Sequence, residues 1–159
     1  MKLLVVAALL CGLMVLTTAS DYRFNMSSGC PHGWSRFNLR CFVYVPRSMS
    51  WGQAERNCKS MGGHLASVHS SDEYRHIQKL TGDHDYKETW IGGSYEKVWL
   101  WSDGSSFHYT HWCPGEPTGG NQNCLQINYT PSKCWDDLEC GVHRPSVCHE
   151  TPIKTQTDV

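Results

Sequence analysis

Residues 111–148 carry the side chains with the clearest chemistry, in the sequence HWCPGEPTGGNQNCLQINYTPSKCWDDLECGVHRPSVC. Carboxylates, amides and hydroxyls alternate there with cysteines at short, uneven spacings. Such oxygen groups are the ligands that Ca²⁺ selects. A loop with disulfides on both flanks is also ordered before a ligand arrives. The segment therefore predicts a binding site rather than a part of the core.

Two helices are predicted upstream of this segment. Ser50 and Gln53 have capping-box spacing before a run of apolar residues at helical intervals, which a Gly-Gly pair ends. Ser70 and Glu73 repeat the same device, and Gly82 is the predicted C-cap of the second helix.

Strands are predicted on both sides of a long loop. The loop covers residues 102–123, where periodicity is lost and Gly and Pro are frequent; loops of this length tend to be functional. The order of elements predicts an α+β domain with two helices packed on small antiparallel sheets. The predicted strands are residues 40–45, 89–92, 98–101, 125–128, 134–137 and 146–149. The aromatic side chains predicted to lie mostly in the core are Trp90, Trp99, Trp101, Trp112 and Trp135.

The first 20 residues predict a secreted, extracellular protein. Lys2 precedes the apolar run Leu3–Leu16, which is too short to span a bilayer and ends in small polar residues, as in a signal peptide. We expect one domain over residues 30–150 and a polar C-terminal tail over residues 151–159. Asn25 and Asn128 begin glycosylation sequons, the second followed directly by Pro131.

The cysteine count predicts a disulfide framework. Removal of the signal peptide takes one of the nine cysteines, Cys11, and leaves eight, which is four bridges with no free thiol. Spacing alone does not choose among the 105 connectivities that eight cysteines allow.

Composition and motifs argue against several function classes. A net charge of −1 with both signs scattered disfavours nucleic acid or an anionic membrane as partner. The histidines lack zinc-type spacing and are interpreted as scattered surface residues. No Gly-x-Ser-x-Gly elbow is present, and Ser105 beside Asp103 and His108 is interpreted as a turn, so no enzyme is expected.

The order of motifs along the chain resembles the C-type lectin domain over residues 30–150. The bridge-rich context of the last motif is similar to soluble fish lectins, such as the ladderlectin and nattectin type, and to the related type II antifreeze proteins. The matching motifs are Trp90-Ile91-Gly92-Gly93, Trp99-x-Trp101-Ser102-Asp103-Gly104-Ser105, Glu116-Pro117-Thr118 and Trp135-Asp136-Asp137.

The resemblance implies a disulfide pairing and a cis bond. It pairs Cys30 with Cys41, Cys58 with Cys148, Cys124 with Cys140 and Cys113 with Cys134. It also implies a cis peptide before Pro117, which turns two carbonyl-bearing side chains toward one point.

The resemblance also implies one Ca²⁺ site, with Glu116, Gln122, Asp136 and Asp137 as ligands. Thr118 stands where the family has Asn, Gln122 where it has Glu and Asp136 where it has Asn, so three carboxylates are retained. A hydroxyl is a poorer ligand than an amide carbonyl, so Thr118 weakens the predicted site. A solvated acidic loop without a metal is the alternative.

Two functions are compatible with this resemblance. The first is a secreted lectin that binds a galactose- or mannose-type hexose on cell-surface or microbial glycans, with Glu116, Thr118, Gln122 and Asp136 contacting the sugar and a role in innate defence. The second is an ice-binding protein on the same scaffold, which would use a flat, regular array of threonines. Thr110, Thr118 and Thr130 have no regular spacing, which favours the lectin. Non-covalent homo-oligomers are left open.

Overall fold

A computed structural model describes residues 29–151, which form an α+β domain of two helices and eight strands. The predicted signal peptide, the sequon at Asn25 and residues 152–159 of the predicted tail lie outside the described residues. The helices are α1 (Trp51–Ser60) and α2 (Ser71–Gly82). The strands are β1 (Ser35–Phe37), β2 (Arg40–Met49), β3 (His64–Leu65), β4 (Thr89–Tyr95), β5 (Trp99–Trp101), β6 (Cys124–Tyr129), β7 (Cys134–Leu138) and β8 (Arg144–Glu150).

The strands join in one sheet of order β1-β2-β8-β4-β6-β7, with β3 paired to β8 and β5 paired to β4. Small antiparallel sheets were the prediction, and the structure joins them into one sheet where β4 meets β8. These two strands pair in parallel at Trp90 and Ser146, while the other pairs are antiparallel. Trp90 is fully buried at this junction and its Nε1 donates to the carbonyl of Met49 at 3.0 Å.

The start of α1 agrees with the predicted capping box, whereas the start of α2 differs from it. Ser50 Oγ accepts from the backbone N–H of Gln53, and Gln53 Oε1 accepts from that of Ser50. In α2, Ser70 Oγ accepts from Glu73 N, but the second bond of the box is missing. The Glu73 carboxylate instead accepts from His69 N and from Arg40 on β2. The helix also includes Gly82, with Asp83 as its C-cap, one residue later than predicted.

The core confirms the predicted burial of the tryptophans. Trp90, Trp101 and Trp135 are buried, and Trp99 and Trp112 pack partly buried against the same cluster. Trp101 and Trp112 both meet the Trp135 ring edge-on, at centroid distances of 5.8 Å. Because Trp135 directly precedes the two acidic residues of β7, this packing fixes the strand that supplies them.

The four predicted disulfides are present, and two of them flank the long loop. Cys113–Cys134 joins the middle of the loop to β7, and Cys124–Cys140 joins the start of β6 to the residues after β7. The other two bridges, Cys30–Cys41 and Cys58–Cys148, hold the N-terminal segment and α1 against β2 and β8.

The predicted loop over residues 102–123 lies between β5 and β6 without helix or strand. Backbone hydrogen bonds dock its second half on β7: Cys113 N donates to Trp135 O at 2.9 Å, and Trp135 N donates to His111 O at 2.8 Å. The loop therefore approaches the acidic end of β7 from a fixed direction.

Candidate functional site

Three carboxylates converge where the long loop meets β7. Glu116 comes from the loop, directly before Pro117, and the peptide between them is cis as predicted. Asp136 and Asp137 come from β7 and are buried. One oxygen from each of Glu116, Asp136 and Asp137 lies within 4.8 Å of the others.

Asp137 holds the loop in place through backbone hydrogen bonds. Its Oδ1 accepts from Thr118 N at 2.8 Å and its Oδ2 accepts from Gly119 N at 2.7 Å. Gly119 has a φ of +73°, a conformation that L side chains rarely adopt. The loop conformation and the position of this carboxylate therefore depend on each other.

Thr118 connects Gln122 to the acidic cluster. The Thr118 hydroxyl contacts Gln122 Oε1 and lies 3.4 Å from Asp137 Oδ1. Since the oxygen end of the Gln122 amide faces Thr118, its NH₂ group is the end that can donate to a ligand. The structure thus places Thr118 and Gln122 beside the three carboxylates.

Asp136 has neighbours that the sequence analysis did not identify. Gln126 Nε2 donates to Asp136 Oδ2 at 2.7 Å, and Arg144 Nε donates to Gln126 Oε1 at 3.1 Å. Gln126 lies opposite Asp136 in the β6–β7 register, so a cross-strand alignment of the two predicted strands could have found it.

The cluster carries uncompensated negative charge. Burial and the charges of Asp136 and Asp137 raise the pKa of Glu116. Burial and the charge of Asp137 raise the pKa of Asp136, against the hydrogen bond from Gln126, which lowers it. Glu116 Oε2 is buried without a hydrogen-bond partner. A buried acceptor beside two further carboxylates fits a hard cation, because a cation supplies the missing positive partner.

A second polar cluster lies on the opposite side of β4 and is centred on Asp103. Asp103 Oδ1 accepts from Ser105 Oγ and Oδ2 accepts from Ser67 Oγ, both at 2.5 Å. His149 Nε2 lies 2.9 Å from Asp103 Oδ2, and Arg40 lies 4.0 Å from the same oxygen. The predicted turn at Ser105 is thus present, since its N–H also bonds Asp103.

The interpretation of the histidines as surface residues is wrong for His149. Its ring is 5% exposed because β8 places it between β2 and β3. Ser105 Oγ donates to the Asp103 carboxylate directly, and His69 Nε2 lies within hydrogen-bond distance of the Ser67 and Ser105 hydroxyls.

The sequon at Asn128 lies in a buried position. The side chain is 6% exposed, and its Nδ2 donates to Thr81 Oγ1 at 3.0 Å and to Lys87 O at 3.1 Å. The nitrogen that would carry a glycan is therefore enclosed in the folded domain. This position argues against Asn128 as a glycan acceptor.

Within residues 29–151 no helix is long and apolar enough to cross a membrane. With this fold and site, comparison with known proteins identifies the class: residues 47–150 match the Lectin C-type domain. The chain belongs to the C-type lectin domain family, which confirms the predicted family and fold.

Particular relatives divide between two activities. The chain is 41% identical over 134 residues to ladderlectin of Oncorhynchus mykiss, covering 80% of this chain and 70% of the relative. It is 41% identical over 128 residues to the lactose-binding lectin l-2 of Anguilla japonica, covering 75% and 76%. The solved structure of herring type II antifreeze protein superposes with a TM-score of 0.74 at 36% identity, covering 79% of this chain and all of that one. These relatives are lectins and an antifreeze protein, and none is named as an enzyme.

Proposed function

We propose that this protein is a secreted lectin that binds a hexose of galactose or mannose type on glycans of cells or microbes. The observation that carries the proposal is the convergence of Glu116, Asp136 and Asp137 beside Thr118 and Gln122. Sugar hydroxyls each donate and accept hydrogen bonds, and this group of side chains offers both kinds of partner within one loop region.

Glu116, Gln122, Asp136 and Asp137 would hold one Ca²⁺. The unpartnered Glu116 Oε2 and the raised pKa values of Glu116 and Asp136 support a cation, because both indicate excess negative charge. A bound Ca²⁺ would accept two sugar hydroxyls as ligands. The side chains then orient those hydroxyls: Glu116 and Asp136 accept their protons, and the Gln122 NH₂ donates to an oxygen.

Thr118 has a supporting part in this proposal. Its hydroxyl contacts Gln122 Oε1, so it fixes the Gln122 amide and presents a hydroxyl oxygen to the sugar. Its backbone N–H holds Asp137 at 2.8 Å. The contact with Gln122 depends on the threonine side chain, whereas the backbone hydrogen bond to Asp137 does not.

A glycan array with and without a calcium chelator tests the sugar assignment. We expect binding that a simple hexose competes away, with galactosides the first to test because one relative is named for lactose binding. Gln122→Ala should weaken binding roughly tenfold, since a hydrogen-bond partner left unmatched costs about 1–3 kcal/mol. Asn121→Ala, a neighbouring exposed amide, is the matched control. Equal binding by both variants would contradict the site.

Calorimetric titration with Ca²⁺ tests the metal separately. Asp137→Asn should weaken Ca²⁺ binding by tenfold or more, because it removes a ligand charge and alters the acceptor of two loop N–H groups. Asp72→Asn is the control, since Asp72 is exposed on α2 and pairs with Arg75. No heat in the wild type up to millimolar Ca²⁺ would exclude this loop as a metal site.

Ice binding is the second candidate, and the similarity to herring type II antifreeze protein favours it. The two functions separate in a direct assay of ice-crystal shape and freezing hysteresis on the same preparation used for the array. Ice shaping without glycan binding would replace the lectin proposal, whereas glycan binding without ice shaping would support it.

A further inference from the structure

A groove of about 250 Å³ adjoins the carboxylate cluster on the side of the β4–β5 hairpin. One wall is aromatic, from Tyr95 and Trp99. The other wall belongs to the long loop and to β7, with Pro117, Gly119, Gly120, Gln122 and Asp137. The groove therefore shares Gln122 and Asp137 with the site described above and continues from it.

The aromatic wall is exposed yet held in position. Tyr95 and Trp99 face each other in the β4–β5 register with ring centroids 5.6 Å apart and planes tilted by 54°. Tyr95 is 44% exposed, while Trp99 is partly buried against Trp112 at 4.8 Å and Phe107 at 6.1 Å. A rigid aromatic surface loses little conformational entropy on binding a ligand.

The two walls are tied to each other. Tyr95 N donates to the carbonyl of Asn123, the last residue of the loop, at 2.9 Å. Gly119 and Gly120 add no side chain to the loop wall, so open space lies where a Cβ would be. Both have φ near +70°. A backbone hydrogen bond thus joins the strand that carries the aromatic wall to the loop that forms the other wall.

The groove combines ring faces with polar groups in one narrow space. The Gln122 amide presents its NH₂ end, and the Asp137 carboxylate is fixed by the loop N–H groups. A pyranose ring has the complementary surface, with C–H groups on a face and hydroxyls around the edge. A purely apolar ligand would leave the polar wall unpaired, at a cost in free energy.

We propose that Tyr95 and Trp99 form a second sugar subsite, which takes the ring next to the hexose held at the carboxylate cluster. The inference rests on the proposed lectin function and extends it: the preferred ligand is a disaccharide or longer glycan rather than a single hexose. The ring at this subsite lies with its C–H face on the exposed Tyr95 ring, beside Trp99, and its hydroxyl edge toward Gln122.

Calorimetric titration with matched sugars tests the subsite in the whole protein. The pairs are methyl β-galactoside with lactose, and methyl α-mannoside with α1,3-mannobiose. We expect the wild type to bind the disaccharide of its preferred pair roughly threefold to tenfold more tightly than the monosaccharide, as one aromatic contact provides. Tyr95→Ala should bring this ratio close to one, and Tyr95→Phe should keep it because the ring remains.

Tyr129→Ala is the control, since Tyr129 is an exposed tyrosine at the opposite end of β6 and should keep the wild-type ratio. Tryptophan fluorescence gives an independent readout: the disaccharide should shift the emission more than the monosaccharide. Equal affinities for both sugars in the wild type, or an unchanged ratio in Tyr95→Ala, would overturn the subsite while leaving the lectin function intact. Binding of neither sugar by the wild type would instead overturn the lectin function and the subsite with it.

Discussion

The domain contains two polar clusters whose carboxylates have pKa values shifted in opposite directions. Asp103 is surrounded by donors: Ser67 and Ser105 bond its two oxygens, and the His149 ring lies 2.9 Å away. Burial alone would raise the pKa of Asp103, but its hydrogen bonds with His149, Ser105 and Ser67 hold that pKa well below its usual range. This carboxylate already has the partners it needs.

The loop cluster has the reverse arrangement. Glu116 and Asp136 have raised pKa values through burial and mutual repulsion, and Glu116 Oε2 has no partner. The first cluster satisfies its carboxylate within the protein and the second leaves Glu116 Oε2 without a partner, although both clusters are partly buried. A carboxylate satisfied by the protein stabilises the fold, whereas carboxylates left facing one another favour a ligand that brings positive charge.

The largest expected effect is on folding stability. Asp103→Asn should lower the free energy of unfolding by about 3 kcal/mol, because it removes the charged acceptor of the Ser67 and Ser105 hydroxyls and the charged neighbour of the His149 ring. Asp136→Asn in the presence of chelator should cause no decrease, since it removes repulsion and keeps an oxygen for Gln126. Urea denaturation without reductant measures both. A comparable loss in the two variants would break the contrast between the clusters.

The pH dependence of stability should have opposite signs at the two clusters. Burial lowers the pKa of His149, against the effect of Asp103, which raises it. Between the lowered pKa of folded His149 and about pH 6.5, the unfolded chain binds a proton at His149 that the folded protein does not. Below about pH 4 the same holds for Asp103. The stability that these two groups contribute is therefore lost as pH falls. Glu116 and Asp136 bind protons more readily when folded, so their contribution improves as pH falls through their raised pKa values.

Denaturation at several pH values in chelator tests these signs. The wild type should lose stability as pH falls below about 4, where the unfolded chain binds a proton at Asp103 that the folded protein does not. Asp103→Asn should flatten the lowest part of this curve, and Asp136→Asn should steepen it. Curves with the same slope in all three proteins would show that these groups do not control the acid response.

The smallest expected effect concerns Thr118. Thr118→Asn should tighten Ca²⁺ binding about threefold, or about 0.6 kcal/mol, because an amide carbonyl is a better ligand than a hydroxyl while the backbone N–H to Asp137 remains. Calorimetry compares it with Thr110→Asn, an exposed threonine on the same loop. Identical dissociation constants would place residue 118 outside the coordination sphere.

Local signals in the sequence were sufficient for the helices, the long loop and the strand segments. The side chains of Ser50 and Gln53 form their cap within four residues, so a short window contains the whole interaction. The disulfide pairing came from the family resemblance, because cysteine spacing does not distinguish the connectivities. The structure brings all the predicted site residues to one place, although whether they bind calcium or sugar stays a prediction.

The features that were missed depend on contacts between distant segments. The Glu73 carboxylate does not close the predicted capping box of α2, because Arg40, 33 residues away, binds it at 2.6 Å. The strands β1 and β3 have three and two residues, too few for a periodic pattern. The burial of His149 results from the pairing of β8 with both β2 and β3, which no local pattern in the sequence indicates.

The sheet order has a consequence for how the domain can be attached to a surface or to other proteins. Cys30 is bridged to Cys41, and Cys41 pairs with Glu150 across β2 and β8, so the two ends of the described chain lie side by side. The long loop belongs to the far side of the sheet, beside β6 and β7. A linker, tag or multimerising helix at either terminus would therefore project the loop outward, and joined copies would present several loops to one ligand-bearing surface, which raises avidity.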